Sequence, residues 1–177
     1  MALIVLLASI AWPLLADPID ASRARQAAAF LESTLRRARQ EAVTRAAYVA
    51  LVFDSSDGRW TMRLCVDGNG NGVRRAEFSR AKDRCFDGPF DVAALFPGVQ
   101  IGVDASLPDP DGGPGSSYPI KLGSSNMASF SATGSSSSGT VYLRSPKGNQ
   151  YAVRLSGVTG RARLLKYDTG NHVWIEM

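Results

Sequence analysis

Hydrophobic and polar positions divide the chain into three regimes. Met1–Ala16 (MALIVLLASIAWPLLA) contains no charged residue. After Asp17-Pro18, small and apolar side chains recur at Ala27, Leu31, Leu35, Ala38, Ala42 and Ala46, in steps of four and three. Arg25, Arg36, Arg39 and Arg45 project away from that stripe. That period predicts one amphipathic helix from about Ser22 to Tyr48, with Asp20 or Ser22 capping its start. From Val49 the period becomes two. Val49–Phe53 is apolar throughout, as suits a central strand, and Ser55-Ser56-Asp57-Gly58 reads as a turn. Trp60, Met62 and Leu64 then alternate with Arg59, Thr61 and Arg63 in the manner of a hairpin partner.

Gly98–Val103, Thr140–Arg144, Gln150–Ser156, Gly160–Tyr167 and His172–Glu176 read as further strands. Turns fall at 145–149 and 168–171. Residues 104–127, rich in Pro, Gly and Ser, read as a long surface excursion, and Gly134–Gly139 (GSSSSG) as a second flexible piece. The predicted fold class is α+β: a long N-terminal helix, with an apolar half and an amphipathic half, packed on an antiparallel sheet or sandwich. The chain divides into an apolar segment 1–16, its amphipathic continuation 17–48, and a β domain 49–177.

Length and charge refine this picture. The 177 residues suffice for one cored domain and an appendage. A hydrophobic content of 45% with 20% charged residues excludes wholesale disorder. The net charge of +4 is uneven: residues 1–53 carry +2, 54–139 carry −2 and 140–177 carry +4. The basic excess therefore lies in the last quarter, where a polyanion could be met, or where strand faces are simply solvated. As a helix, 1–16 spans roughly 24 Å, short of the roughly 30 Å hydrocarbon core of a membrane. It also lacks the basic start of a secretory signal.

Two cysteines, Cys65 and Cys85, have no second Cys/His pair that would make a zinc site. Outside the cytoplasm they predict a disulfide, and inside it free thiols. Cys65 has the parity of Arg59 and Arg63, so a bridge would lay residues 66–84 over the outside of the sheet. Asp67-Gly68-Asn69-Gly70-Asn71-Gly72 matches the first half of a calcium loop, with Asp67, Asn69 and Asn71 as candidate ligands. The twelfth position, however, is Phe78, and Glu77 falls one short. A Gly/Asn turn using positive φ is the simpler reading, and no other cofactor is expected.

Arg161 and Arg163 of Gly160-Arg161-Ala162-Arg163 share a strand face at about 7 Å, close to the spacing of successive phosphates. Lys166 lies just beyond, and Arg154 and Arg144 on preceding strands. The set is a candidate DNA contact; the alternative is a solvated edge or subunit contact. Without an aromatic ladder, any such binding would be electrostatic and independent of sequence. His172, the one histidine, reads as a turn or strand-end residue. The serines of 134–139 lack the strand–turn–helix setting of a nucleophile. Gly68, Gly70 and Gly72 have the wrong spacing for a dinucleotide fingerprint, and Asp109 and Asp111 sit in the excursion. No catalytic constellation emerges, so neither an enzyme nor a small-molecule substrate is expected.

The stretch AWPLLADPIDASRARQAAAFLESTLRRARQEAVTRAAYVALVFD resembles the first part of GspH/FimT pseudopilins, in which RRARQEA precedes a strand of the form xVALVFD. GTVYLRSPKGNQYAVRLSGVTGRARLLKYD resembles the family's closing strands. The resemblance implies a minor pseudopilin, a structural subunit of a type II secretion pseudopilus or type IV pilus, at or near its tip. Its implied partners are other pseudopilins, met through the helix, and the inner membrane, crossed once with the β domain outside. It also implies an alternative: a FimT-like DNA-binding minor pilin using Gly160–Arg163. Family members carry a Gly-Phe-Thr-Leu-x-Glu processing site, cut before the Phe and N-methylated. By the family's register Met1 falls inside the mature helix, so the expected start lies upstream. Restoring it would lengthen the apolar helix to about 25 residues, enough to span a membrane.

Overall fold

The computed structural model describes residues 2–123 and 125–177, with residues 2–16 as backbone only. The expectation that 1–16 crosses a membrane or enters a fibre core rests on side chains outside the described residues. Among the described residues no helix is long and apolar enough to cross a membrane.

Helix α1 (Ala2–Arg45) continues through Pro18, so Asp20 and Ser22 cap no helix start. The Asp20 carboxylate instead accepts from the Ser145 hydroxyl and from the Asn149 side-chain amide at 2.8 Å. The expected stripe is realised and widened: Ala24, Ala27, Ala28, Leu31, Leu35, Ala38 and Ala42 are all buried. Ala46, expected to extend it, is exposed at φ +50. It ends the helix in a left-handed cap, with Ala46 N–H donating to Val43 O and Ala47 N–H to Ala42 O.

Strands β1 (Val49–Ser56) and β2 (Arg59–Val66) form a hairpin. Its turn residues Asp57 and Gly58 both have positive φ, matching the right-handed twist of the strands. Next come α2 (Arg75–Phe78), β3 (Arg84–Asp91), α3 (Val92–Leu95), β4 (Gln100–Ile101), β5 (Ile120–Leu122), β6 (Met127–Phe130), β7 (Gly139–Arg144), β8 (Gln150–Leu155), β9 (Ala162–Asp168) and β10 (Val173–Glu176). All pairings are antiparallel. One sheet runs β3-β2-β1-β6 and the other β10-β9-β8-β7-β4, with β5 also pairing β7. The α+β expectation holds.

The main core lies where the alanine-rich face of α1 meets the inner faces of both sheets, with Leu51, Phe53 and Leu64 from one and Val141, Leu143, Tyr151 and Val153 from the other. Small residues on α1 let its backbone approach the sheets closely, and Leu31 and Leu35 fill the gap between them. Two smaller clusters lie on the outer faces. Ala50, Val52, Cys65 and Met127 are covered by Val73 and Phe78. Tyr142, Ala152 and Leu165 are covered by Val103 and Trp174.

Three loop expectations change. The strand expected at Gly98–Val103 shrinks to two residues. The excursion 104–127 contains β5, whose Ile120 and Leu122 are core residues. Gly134–Gly139 is hydrogen-bonded in place: Ser136 Oγ donates to Ser156 O, Ser137 Oγ to Met127 O, and Ser138 Oγ accepts from Gly157 N–H.

Candidate functional site

The basic residues of the last quarter divide between faces. On β8 and β9, Arg154 stands directly opposite Arg163. Like charges so placed destabilise a sheet unless compensated. Asp111 lies 2.6 Å from Arg154, and Glu176 lies 3.3 Å from Arg163 and 4.0 Å from Arg161. Arg144 has the same outward parity but pairs in register with Gln150, four residues along β8 from Arg154, and lies 3.3 Å from Asp104.

Lys166 does not join them. It is in register with Tyr151, a residue of the main core, and so stands on the helix-side face. Three residues separate Arg163 from Lys166, and an odd separation along a strand reverses the face. The structure thus gathers Arg154, Arg161 and Arg163, holds Arg144 apart, and removes Lys166.

Arg161 precedes β9 and also lines a groove of about 700 Å³ between α1 and the β8–β9 turn. Arg36, Arg39, Gln40 and Thr44 of α1 form one wall, and Thr159, Gly160 and Arg161 the other. The groove brings together residues more than a hundred positions apart, so strand periodicity carried no sign of it. The only local trace is the i, i+3 spacing of Arg36 and Arg39, which puts both on one flank of the helix.

The excursion over the outer face is fixed at Asp109. Its carboxylate receives Lys121 Nζ at 2.5 Å and the Tyr142 hydroxyl at 3.0 Å, while Trp174 Nε1–H donates to Pro108 O at 2.8 Å. Burial pushes the Asp109 carboxyl up, but the bonds from Lys121, the Asp111 N–H and Tyr142 outweigh it and hold the group below the ordinary carboxylate range. Burial and the same carboxylate push the Tyr142 phenol far up, so it remains a donor.

Cys65 and Cys85 are directly opposed on β2 and β3 and form a disulfide. The intervening loop lies over the outer face of its sheet, as the parity of Cys65 predicted. Within it Asp67 accepts from the backbone N–H groups of Asn69, Gly70 and Gly72. The side-chain amides of Asn69 and Asn71 donate to Glu77 at 2.8 and 3.0 Å, and Asn69 Oδ1 accepts from Asn71 N–H. The Asp67 carboxylate and Asn69 Oδ1, two of the three groups considered for calcium, are thus engaged inside the loop. Gly70 and Gly72 have positive φ. Among the described residues no group of three His, Cys, Asp or Glu is arranged to hold a metal ion. His172 sits at φ +54 in the turn before β10.

The long helix thus buries one small-residue face against its own β body, and the surface carries grooves and ion pairs. A family model described as type II transport protein GspH matches residues 27–160. The chain belongs to this family, and with it to the pseudopilins of type II secretion and type IV pili. The match ends at Gly160, one residue before Arg161. No curated protein and no solved structure matches the chain.

Proposed function

We propose that the chain is a minor pseudopilin, held in the inner membrane by the start of α1 and incorporated through that helix at or near the tip of a type II secretion pseudopilus or type IV pilus. The observation that carries this reading is the seam between α1 and the β domain. Seven apolar residues from Ala24 to Ala42 are buried along it, and Asp17 and Asp20 tie the helix to the 145–149 loop. Helix and β body are therefore packed as one unit, as a subunit held by its helix and contacted through its domain requires. The tip position rests on the family resemblance alone.

The test is in-cell cross-linking of a C-terminally tagged full chain in its own host, followed by identification of the captured proteins. Capture of other pilin-type subunits from the membrane fraction, with fibre assembly or secretion reduced in the deletion strain, is expected. A chain that cross-links no pilin-type protein, and whose deletion alters neither process, would overturn the proposal.

A second reading, a DNA-contacting minor pilin, is favoured by the gathering of Arg154, Arg161 and Arg163 at one end of a sheet. Anisotropy titration of duplex DNA with the full chain in detergent, at two salt concentrations, tests it. Binding should weaken steeply with salt and fall in the Arg161→Ala/Arg163→Ala variant. Binding unchanged in that variant removes the assigned residues, and no binding at low salt sinks the reading.

A further inference from the structure

We propose that the DNA backbone is held in the groove between α1 and the β8–β9 turn, by Arg36, Arg39 and Arg161 together, rather than along the outer strand face. The inference rests on the DNA-contact reading and relocates its centre.

Charge balance is the first argument. On the strand face Arg154, Arg163 and Arg144 each already face a carboxylate, at 2.6, 3.3 and 3.3 Å. Among the described residues three arginines line the groove, and no Asp or Glu does. Arg36 faces Glu32 at 2.6 Å, but on its own helix and outside the groove, and Arg161 reaches Glu176 only at 4.0 Å. Among the described residues Arg39 has no ion pair. The side chains of Arg36 and Arg161 are 68% and 73% exposed, so both can turn to a ligand without unfolding anything.

Donor chemistry is the second. Phosphate oxygens only accept, and the polar groups of this lining can all donate: three guanidinium forks, the Gln40 amide and the hydroxyls of Thr44 and Thr159. Guanidinium is also the side chain whose planar fork best fits phosphate. Among the described residues no aromatic side chain lines the groove, so it offers bases no stacking platform and would bind without regard to sequence.

Preorganisation is the third. Arg39 Nε donates to Gly134 O at 3.0 Å, which orients its guanidinium. Gly160, at φ +60, lies against the same group. A Cβ there would come within 2.1 Å of Gly134 O and 3.1 Å of Arg39 Cδ and Nε. Only glycine lets the turn close on Arg39 and place Arg161 across from it.

The experiment is the same anisotropy titration of the full chain, extended to a salt series, with poly-glutamate as a competing probe. Two variants are compared: Arg36→Ala/Arg39→Ala, and Gln40→Glu, which adds a carboxylate to the groove while keeping the Arg39–Gly134 bond. In the double variant the slope of log affinity against log salt should fall by about 2, since each phosphate left without its arginine removes roughly 0.9 from the slope. Gln40→Glu should weaken DNA binding several-fold at low salt, and it decides the matter if the double variant proves unfolded by circular dichroism. Wild-type binding retained in folded Gln40→Glu, or poly-glutamate displacing DNA at equal charge concentration, overturns the groove assignment. Failure of the wild-type chain to bind DNA at all is a different outcome: it removes the DNA reading on which the assignment rests.

Discussion

Removing the Cys65–Cys85 bridge should destabilise the β domain by about 3 kcal/mol, almost wholly through the unfolded chain. The cysteines are 20 residues apart, and closing a loop of that length removes about 11 cal/mol/K from the unfolded ensemble, about 3 kcal/mol at 25 °C. The native loop has independent reasons to stay in place. Asp83, buried, accepts from Gly68 and Arg74 N–H; Asp67 holds three further N–H groups; and Val73 and Phe78 pack over Ala50, Val52 and Met127. The variant to use is Cys65→Ala/Cys85→Ala, because Cys65 is fully buried and a serine hydroxyl there would need a partner. Urea unfolding of oxidised wild type and variant should show the loss as a lower midpoint. The melting temperature should drop by roughly 6–12 °C for a chain of this size. Hydrogen exchange at 67–83 in the folded variant should remain protected. A loss below about 1 kcal/mol would refute the loop-entropy magnitude. Rapid exchange across 67–83 in the folded variant would show that the bridge holds the native loop, contrary to this reasoning.

Three further outcomes follow from other parts of the fold. Leu35→Ala, at a site 1% exposed, should cost about 2–5 kcal/mol in urea unfolding, whereas Leu35→Met should cost less than about 1.5. Asp83→Ala should lose about 1–3 kcal/mol by stranding two backbone donors, and a loss within error of zero would show that water replaces the carboxylate. Because the folded Asp109 value is depressed, its contribution is fully present above the unfolded value near about 4 and is lost as pH falls through the folded value. Trp174 fluorescence, reporting the bond to Pro108, should therefore change on acidification in the wild type. Asp109→Asn should show much less of that change, and identical acid profiles would rule out Asp109 as the group responsible.

Much of the fold was legible because its signals are local. The α1 face follows from residue spacing, and the β1–β2 hairpin follows from alternation around Asp57-Gly58. Ala46 misled because its spacing fits the stripe, while the left-handed cap it adopts is usual for Gly, not Ala. Gly134–Gly139 looked flexible because serines favour loops, yet their partners, Ser156 and Gly157, lie some twenty residues on. Strand β5 was hidden in a Pro/Gly-rich stretch because three residues are too few for a period to register. Lys166 is a different kind of miss: counting parity from Arg163 alone places it on the opposite face. The groove could not be read at all, since pattern rules along one element are silent about which helix flank a distant turn will meet.

The structural role and the proposed DNA contact need not compete for the same surface of α1. Arg36 and Arg39 lie five to six turns beyond Asp17, roughly 28–33 Å along the helix, whereas the proposed fibre role draws on the start of α1. The two roles also draw differently on the family match: the helix-to-sheet seam lies largely within residues 27–160, while Arg161, the last arginine of the groove, lies just outside. A GspH-type subunit could therefore gain or lose the groove by changes at Arg36, Arg39 and Arg161 without altering how its helix packs. Gln40→Glu should then separate the two, weakening DNA capture several-fold while leaving cross-links to pilin-type partners intact. If it disrupts both, that flank of α1 is also a subunit contact, and the separation argued from distance along the helix is wrong.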